Sequence, residues 1–496
     1  MERKWRVLTN TTIGTFMALL DSSIVLISLP TIGRELPQTS PETLLWIVLS
    51  YSLVTATLLL TFGRLSDMFG RVRLYTLGFA IFTIGSAFCS LATDGNILLA
   101  ARVVEGIGAG FLAANGAAIV TDAFPIHERG KALGINQVSA LAGSMMGLVL
   151  GGVLTSLLGW RSIFWVNIPV GIVGTVWAYV GLEEVAAREI ESEIDWVGNV
   201  LFSGGITALL AGVTLGGLVG WYDPMILLLL FGGLGMIVVF VFVEQVVRSP
   251  MFDFHLLRIR TFVMGNLAAF FSALARGSFT FILVFYFQGI LLLSAFNAGV
   301  MLLPLSAAFI IVGPLSGVIS DRRGSKLLGT TGLLVSAIGF AILLEFRASD
   351  PYWMLAVSMV FLGVGQGMFG SPNRAEVMSS VPPSRRGVAS AFTTMFLNAG
   401  SMGSLAVGFT ILAATVPRST LAVIFAGLTP SSPLDVNGFM GAVHTIFIAG
   451  LALTLVAAAS NALRGREARA WTAGDIAADS GESHRKTRGG GSAEAK

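Results

Sequence analysis

Long apolar runs alternate with short polar segments from about residue 9 to residue 462. Each run is close to 20 residues or longer, the length that an α-helix needs to cross the hydrocarbon core of a bilayer. The runs lack the alternation of apolar and polar positions that marks the strands of a membrane β-barrel. The pattern therefore predicts an all-α integral membrane protein with fourteen transmembrane helices, at 9–32, 43–62, 74–93, 97–121, 133–158, 163–182, 196–217, 224–243, 261–291, 297–319, 327–346, 352–371, 388–415 and 440–462.

Lysine and arginine lie mostly on one side of these predicted helices. With the N-terminus in the cytoplasm, 25 of the 31 Lys and Arg residues fall in cytoplasmic segments and only 4 in outer loops. Membrane proteins carry this excess of positive charge on their cytoplasmic side. Because the number of predicted spans is even, we expect both termini in the cytoplasm.

The composition supports the membrane class and argues against several other classes. Hydrophobic residues make up 54% of the 496 residues and charged residues only 12%, whereas a soluble domain averages about 25% charged residues. The net charge of +3 gives no sign of nucleic-acid binding. One cysteine, Cys89, and four scattered histidines predict neither a disulfide nor a metal site. The sequence has no evident nucleophile–base pair and no phosphate-binding loop, which disfavours an enzyme or an ATP-driven pump.

Two pairs of similar loops indicate an internal duplication. G-R-L-S-D-M-F-G at 63–70 is similar to G-V-I-S-D-R-R-G at 317–324, and E-R-G-K-A at 128–132 is similar to R-R-G-V-A at 385–389. Parallel six-helix halves with a site between them at mid-membrane are a transporter plan. We therefore expect an N-terminal six-helix half at 1–182, an acidic linker plus two extra helices and a loop at 183–260, a C-terminal six-helix half at 261–463, and a disordered cytoplasmic tail at 464–496.

Several motifs resemble those of one transporter family and occur in that family's order. They are L-D-S-S-I-V-L-I-S-L-P at 20–30, G-R-L-S-D-M-F-G-R-V-R at 63–73, W-R-S-I-F-W-V-N-I-P-V-G at 160–171 and D-W-V-G at 195–198. Over about residues 10–462 the chain resembles the major facilitator superfamily, specifically its fourteen-spanner drug:proton antiporter branch. The resemblance implies a major facilitator fold of two six-helix halves with two additional helices between them.

The same resemblance implies a function and a location. It implies a multi-pass monomer in the bacterial cytoplasmic membrane that exports lipophilic or cationic drugs by alternating access. Export would be driven by the proton-motive force, without a further cofactor. Two positions depart from the family pattern: Glu105 replaces a usual Gln, and Leu148 replaces the usual Pro of the antiporter motif. These departures leave open a dedicated exporter of one metabolite or antibiotic, uptake by symport, or a membrane sensor that does not transport.

Three charged residues at membrane depth are candidates for proton coupling. A carboxylate such as Asp21, near the middle of the first span, is costly in a bilayer and is expected to face a cavity, change charge or hold a partner. Arg102 and Glu105 lie three residues apart, on one face of the fourth span. A proton on Glu105 would free Arg102 to rearrange, and the resemblance links this arginine to proton coupling. The alternatives are a structural hydrogen bond for Asp21 and a self-satisfied ion pair that only locks the fourth helix.

The cytoplasmic loop after the second span and its partners are candidates for a conformational gate. In the resembled family, a charge network here holds the packing of the two halves and releases it on switching. The alternative is a solvated loop whose charges only set orientation. The residues that match this network are Gly63, Asp67, Gly70, Arg71 and Asp122, with Asp321 as the counterpart in the second half.

A run of small residues on the fifth span predicts close helix packing. Gly143, Gly147 and Gly151 repeat every four residues, and Gly152 follows. Small residues at this spacing let two membrane helices approach closely. Close packing at this place could seal one end of the transport path, or could be purely structural.

Arg276 is a candidate substrate contact in the ninth span. It is a cation at membrane depth, and Phe270, Phe271, Phe279 and Phe281 are close to it in sequence. A cation beside aromatic rings could bind an anionic or π-rich substrate. It could equally pair with an acid across the bundle.

Overall fold

The computed structural model describes residues 2–37, 39–184, 195–247, 254–382, 386–428 and 433–465, and these ranges are helical without a β-strand. Most of the predicted acidic linker and nearly all of the predicted tail lie outside the described residues. The helices, in chain order, are α1 (Arg3–Glu35), α2 (Pro41–Thr57), α3 (Leu59–Phe69), α4 (Arg71–Ser90), α5 (Gly95–Ala123), α6 (Ile126–Leu158), α7 (Ser162–Trp165), α8 (Asn167–Gly181), α9 (Trp196–Val219), α10 (Pro224–Val246), α11 (Arg260–Phe285), α12 (Ala295–Met301), α13 (Leu303–Arg323), α14 (Ser325–Leu344), α15 (Tyr352–Ser379), α16 (Arg386–Thr415), α17 (Arg418–Phe425) and α18 (Pro433–Ala462). A 3₁₀ turn at Phe254–Arg258 precedes α11, and a π turn at Tyr286–Ile290 extends it.

Thirteen helical segments of the described chain are long and apolar enough to cross a membrane. The second predicted span is divided, because α2 ends at Thr57 and α3 begins at Leu59. Backbone hydrogen bonds nevertheless continue across the break, from Leu58 N to Val54 O at 3.1 Å and from Phe62 N to Leu58 O at 2.8 Å. We therefore count α2 and α3 as one bent span. The prediction of an all-α membrane fold is confirmed.

Side-chain caps fix where several of these helices begin. Asp94 accepts hydrogen bonds from the backbone N–H groups of Asn96 and Ile97, and so starts α5. Asp195 caps α9 by accepting from Gly198 N at 2.7 Å. These carboxylates satisfy N–H groups that have no partner within the helix.

Helices α1–α8 and α11–α18 form two groups with the same internal packing. In each group, glycines let the same pairs of helices approach backbone to backbone. Residues of α1 and α4 correspond to residues of α11 and α14 that are 254 positions later. Residues of α5 and α6 correspond to residues of α15 and α16 that are 257 positions later. The glycines that define this correspondence are Gly78 and Gly332, Gly85 and Gly339, Gly143 and Gly400, and Gly151 and Gly408.

Close contacts join the two groups at one end of the bundle. We call the end where α1 begins the near end and the end where α1 finishes the far end. A Cβ on Gly152 of α6 would lie 2.6 Å from the carbonyl oxygen of Ala295 on α12. Gln288 Nε2 donates to the carbonyl oxygen of Ile27, on α1, at 2.8 Å. Both contacts belong to the far end, so the structure is closed there.

The two additional helices, α9 and α10, differ in their contacts with the two groups. Asn199 of α9 donates to the hydroxyl of Thr61 on α3, in the first group. Thr410 of α16, in the second group, donates to Val213 O of α9 at 2.8 Å. Helix α10 packs on α9, and a Cβ on Gly233 would lie 2.9 Å from the carbonyl oxygen of Gly205. Helix α9 therefore contacts both groups, whereas most of α10 is exposed to its surroundings.

Candidate functional site

A buried ion-pair cluster lies inside the first group of helices. Arg102 Nη1 is 2.6 Å from Asp21 Oδ2 and 2.6 Å from Glu105 Oε2. Asp21 and Glu105 are 0% exposed and Arg102 is 1% exposed. Asp21 belongs to α1, whereas Arg102 and Glu105 are on α5. One guanidinium nitrogen therefore joins the carboxylates of two helices.

Two further helices supply hydrogen-bond donors to this cluster. Asn167 of α8 donates through Nδ2 to Asp21 Oδ1 at 2.8 Å and to Ser86 Oγ at 3.2 Å. Ser86 of α4 in turn donates to Glu105 Oε1. Cys89 of α4 has its sulfur 3.4 Å from Glu105 Oε2. Each carboxylate thus receives a second, uncharged donor, which is what a buried charge requires.

The guanidinium of Arg102 is also held from the side of α2. Its carbon Cζ lies 4.2 Å from the centre of the Tyr51 ring, within the range of a cation–π contact. Its Nε donates to the carbonyl oxygen of Ile47 at 3.4 Å. Tyr51 is itself fixed, because its hydroxyl donates to Ala18 O of α1 at 3.0 Å. The arginine is therefore oriented by both carboxylates, a ring and a carbonyl.

A glycine on α4 lets that helix come close enough to reach Glu105. A Cβ on Gly85 would lie 2.7 Å from the backbone nitrogen and Cα of Glu105. The neighbouring residue Ser86 can then bond to the carboxylate. A larger side chain at position 85 would separate α4 from α5 and break this contact.

The cluster holds one positive and two negative groups when both carboxylates are ionised. Its net charge is then −1, in a place that water does not reach. Removing charges from water is costly unless they are paired, so an unbalanced charge here is unfavourable. Binding of one proton would bring the cluster to neutrality.

Two of the predicted gate residues form an ion pair at the near end. Arg71 Nη1 lies 2.9 Å from Asp122 Oδ2 and 3.1 Å from Oδ1. Arg71 is the first residue of α4, and Asp122 is in the last turn of α5. Both side chains are partly buried. The pair ties the near ends of two helices that hold residues of the buried cluster closer to their far ends.

The turn before Arg71 is fixed by a carboxylate that sequence reasoning did not identify. Gly70 has a φ of 107°, in the region that favours glycine. Glu184, after α8, accepts from Arg71 N at 3.0 Å and from Val72 N at 3.1 Å. The acidic composition after α8 was visible in the sequence, but its contact with the start of α4 was not.

Asp67 and Asp321, two of the other predicted gate residues, are 254 positions apart and occupy equivalent places in the two groups. Gly63 and Asp67 lie within α3, and Asp321 lies near the end of α13. Gly63 has open space where a Cβ would stand. The side chains of Asp67 and Asp321 lie outside the described part of the structure, so their predicted gating role stays a prediction.

The glycine run of α6 faces α1. A Cβ on Gly143 would lie 2.5 Å from Phe16 O, and one on Gly147 would lie 2.6 Å from Leu20 O. Gly151 continues the same contact one turn later, against Ile24 and Ile27, while Gly152 turns toward α12 of the other group. The run therefore lines α1 along the stretch that carries Asp21.

Leu148 stands where the resembled family usually has a proline, and it lies at the contact between the two groups. A Cβ on Gly299 of α12 would lie 2.5 Å from the carbonyl oxygen of Leu148. The leucine side chain is 8% exposed. The departure from the family pattern thus falls in the far-end closure.

Arg276 lies midway along the span formed by α11 and its π turn. It is partly buried, and its Nε is closed off from solvent without a hydrogen-bond partner among the described residues. Two of the phenylalanines near it in sequence are engaged elsewhere. Phe279 packs against Phe340 and Phe447, and Phe281 against Phe285 and Phe425. The predicted aromatic environment of Arg276 stays a prediction.

Comparison with known proteins supplies the family. The sequence profile of the Major Facilitator Superfamily matches residues 11–407. The chain belongs to this superfamily. Its members are transporters rather than enzymes, and the chain is accordingly a multi-pass membrane transporter of small molecules.

Relatives of known name place the chain near drug exporters within the superfamily. The riboflavin transporter RibZ of Clostridioides difficile is 33% identical over 401 residues, which cover 80% of this chain and 86% of the relative. The multidrug resistance protein Stp of Mycobacterium tuberculosis is 32% identical over 407 residues, which cover 82% of this chain and 75% of the relative. The predicted membership of the drug-exporter family is confirmed.

A solved structure supports the fold independently. The inward-facing, unoccupied structure of a bacterial homologue of the human lysosomal transporter Spinster aligns with a TM-score of 0.64. The alignment covers 95% of this chain and 99% of that one, at 17% sequence identity. The two-group arrangement described above is thus the major facilitator fold.

Several residues of the cluster were not identified as site residues from the sequence. Ser86, Asn167 and Tyr51 are uncharged and lie on three different helices. The only sequence signal was for Asn167, which falls within the family motif at 160–171. Nothing in the spacing of Ser86 or Tyr51 distinguishes them from residues that pack against neighbouring helices.

Proposed function

We propose that this transporter exports small lipophilic molecules across the bacterial cytoplasmic membrane in exchange for protons. The observation that carries the proposal is the buried cluster of Asp21, Arg102 and Glu105. Charges at membrane depth are costly, and in transporters they commonly mark proton or ion pathways. The excess of Lys and Arg on one side supports cytoplasmic termini. The resemblance to the drug:proton antiporter branch also supports a monomer.

Uptake of one proton would remove the net charge of the cluster. Its net charge changes from −1 to 0 when one carboxylate is protonated. Arg102 then keeps a single ionised partner, and its contact with the protonated carboxylate weakens. The guanidinium moves toward the remaining carboxylate. Protonation of Glu105 therefore strengthens the contact of Arg102 with Asp21, and protonation of Asp21 strengthens its contact with Glu105. Since Asp21 and Glu105 lie on different helices, this change alters the force between α1 and α5.

The glycine contact offers a route from the cluster to the conformational change. Helix α1 carries Asp21, and α6 lies directly against α1 through Gly143 and Gly147. Gly151 continues this contact with α1, and the adjacent Gly152 contacts α12 at the far-end closure. We therefore propose that the charge state of the cluster biases the closure at the far end. The Arg71–Asp122 pair would hold the near ends of α4 and α5 in register as the halves rock.

A second candidate function is export of a single metabolite. The most direct support is that one relative at 33% identity is named as a riboflavin transporter rather than a multidrug protein. The leucine at position 148 also departs from the antiporter pattern, within the contact between the halves. Both functions use the same fold and cluster, and they differ in the breadth of compounds moved.

Transport in proteoliposomes tests the proposal and separates the two candidates. Purified protein is reconstituted, an acid interior is imposed, and the accumulation of ethidium, rhodamine 6G, fluorescein and riboflavin is followed. Uphill accumulation of several chemically unrelated compounds, abolished by a protonophore, supports broad proton-driven export. Accumulation of one compound alone supports the dedicated exporter. Accumulation that is insensitive to the protonophore contradicts proton coupling.

A further inference from the structure

The correspondence between the two halves identifies which side of α11 carries Arg276. Residues of α1 correspond to residues of α11 that are 254 positions later, as the pairs Phe16 and Phe270 show through their glycine contacts. Arg276 is therefore the counterpart of Ser22, and Asp21 is the counterpart of Ala275. The arginine does not occupy the cluster position of the second half. It occupies the position beside it.

On α1, this position belongs to a face that the rest of the first half leaves partly exposed. Thr15, Leu19, Ser22 and Leu26 follow one another at helical spacing, and each is partly exposed. The neighbouring faces of α1 are covered by α6 and by the buried cluster. Because α2 and α6 flank α1 and also contact α16 and α12, the open face turns toward the second half. We call the space between this face and its counterpart on α11 the central cleft.

Polar groups lie next to Arg276 on the same side of α11. Ser272 is one helical turn nearer the near end, at the i, i+4 spacing that puts two side chains on one face. Gln366 Nε2, from α15, donates to Ser272 Oγ at 2.8 Å. A hydroxyl and an amide are thus paired at the contact of α11 with α15, one helical turn from Arg276.

Within the described part of the chain, the two carboxylates of the buried cluster already bond to another cation. Asp21 and Glu105 both bond to Arg102. The positions of α15 that correspond to Arg102 and Glu105 are Met359 and Leu362, which are apolar and buried. Among the described residues, no acid forms an ion pair with Arg276. A cation at membrane depth without a counter-ion is unfavourable, so a ligand that supplies a negative charge would be favoured.

We propose that the central cleft recognises compounds that carry an anionic group, such as a carboxylate, sulfonate or phosphate, through Arg276. A guanidinium forms two parallel hydrogen bonds with such groups, which an ammonium does not match. The inference rests on the proposed transport function and narrows its substrate class. Lipophilic cations, which the resemblance to drug:proton antiporters implied, would meet a like charge in the cleft.

Equilibrium binding to the detergent-purified protein tests the substrate class without any transport step. Rhodamine 19 carries a free carboxylate, and rhodamine 6G is the ethyl ester of the same dye, so the pair differs only at the group in question. Binding is followed by fluorescence polarisation. We expect the acid to bind about tenfold more tightly than the ester, the usual size of a charge-assisted hydrogen bond in a partly buried site.

Three variants show whether Arg276 is responsible. In Arg276→Gln, the preference for the acid is lost, and in Arg276→Lys it is partly kept. Arg347→Gln removes the same charge from an exposed position in the loop between α14 and α15, and the preference stays unchanged. If the ester binds as tightly as the acid to the wild-type protein, or if Arg276→Gln keeps the preference, the proposal is wrong.

This experiment can fail separately from the proposed function. If the protein accumulates rhodamine 6G in response to a pH gradient but binds the acid no more tightly than the ester, proton-driven export is supported and the anion preference is wrong. If the protein prefers the acid in an Arg276-dependent way but moves no compound against its gradient, the binding site is supported and proton coupling is wrong.

Discussion

Arg102 Nη1 lies 2.6 Å from Asp21 Oδ2, although the two residues are on helices α5 and α1 and neither is exposed to solvent. The same nitrogen lies 2.6 Å from Glu105 Oε2. This shared donor makes the two carboxylates alternatives for one cation. In the proposed mechanism, a proton at one carboxylate would therefore change the force that α5 exerts on α1.

We expect Asp21→Asn to uncouple substrate movement from the proton gradient. The asparagine keeps the shape of the side chain and its hydrogen bond from Arg102, but it cannot bind and release a proton. In proteoliposomes with an acid interior, the wild-type protein should concentrate a transported dye, whereas the variant should only equilibrate it. Exchange of labelled for unlabelled dye, with no pH gradient, should persist in the variant. Concentration of the dye by Asp21→Asn would contradict the assignment.

Neutralising Arg102 alone should destabilise the protein more than neutralising Asp21, Arg102 and Glu105 together. Arg102→Gln leaves two buried carboxylates without a counter-ion, and breaking a buried ion pair in this way costs about 3–5 kcal/mol. The triple variant Asp21→Asn, Arg102→Gln, Glu105→Gln contains no unpaired charge and should regain much of this loss. The melting temperature in detergent measures the difference. A triple variant that melts below Arg102→Gln would show that the charge balance is not what matters here.

The contact between α1 and α6 should depend on the absence of a side chain at Gly147. An added Cβ would lie 2.6 Å from the backbone carbonyl oxygen of Leu20, and overpacking of this kind costs about 1–3 kcal/mol. Gly147→Ala should therefore lower both the melting temperature and the transport rate. Gly134, on the same helix, has open space around its Cβ position. Gly134→Ala should be neutral or stabilise by about 0.5–1 kcal/mol, because alanine favours a helix. Equal losses in both variants would argue against the contact.

Chemical labelling of introduced cysteines should establish the orientation. The single native cysteine, Cys89, is fully buried and gives little background. With the near end in the cytoplasm, a membrane-impermeant maleimide should label Arg347→Cys in intact cells. It should label Arg73→Cys, at the near end, only after permeabilisation. The opposite result would place the near end outside and reverse the proposed direction of proton flow.

The spans and their charged residues could be predicted from the sequence because they depend on local spacing. The Arg102–Glu105 pair is three residues apart on one helix, and the glycine run of α6 repeats every four residues. The same reasoning did not predict the break at Leu58, since the apolar run continues through it.

The assembly of the cluster could not be predicted from local sequence patterns, because its members are distant in the chain. Asp21 meets Arg102 across 81 positions and Asn167 across 146. Periodicity within one helix does not encode which faces of separate helices meet. Ser86 and Tyr51 are ordinary residues of membrane helices and acquire their roles only from the packing of α4 and α2 around Arg102. Arg276 was identified as a candidate, but only the structure showed that its Nε has no hydrogen-bond partner among the described residues.

The luminal pH of proteoliposomes shows most directly whether the cluster of Asp21, Arg102 and Glu105 exchanges protons for substrate. Proteoliposomes loaded with the pH indicator pyranine, without an imposed pH gradient, receive a pulse of a transported dye. In the wild-type protein, inward movement of dye should drive proton release from the lumen and raise the luminal pH. In the triple variant Asp21→Asn, Arg102→Gln, Glu105→Gln, which leaves no unpaired charge in the cluster, the dye should still enter while the luminal pH stays constant. A pH rise of the same size in the triple variant would contradict proton exchange by the cluster.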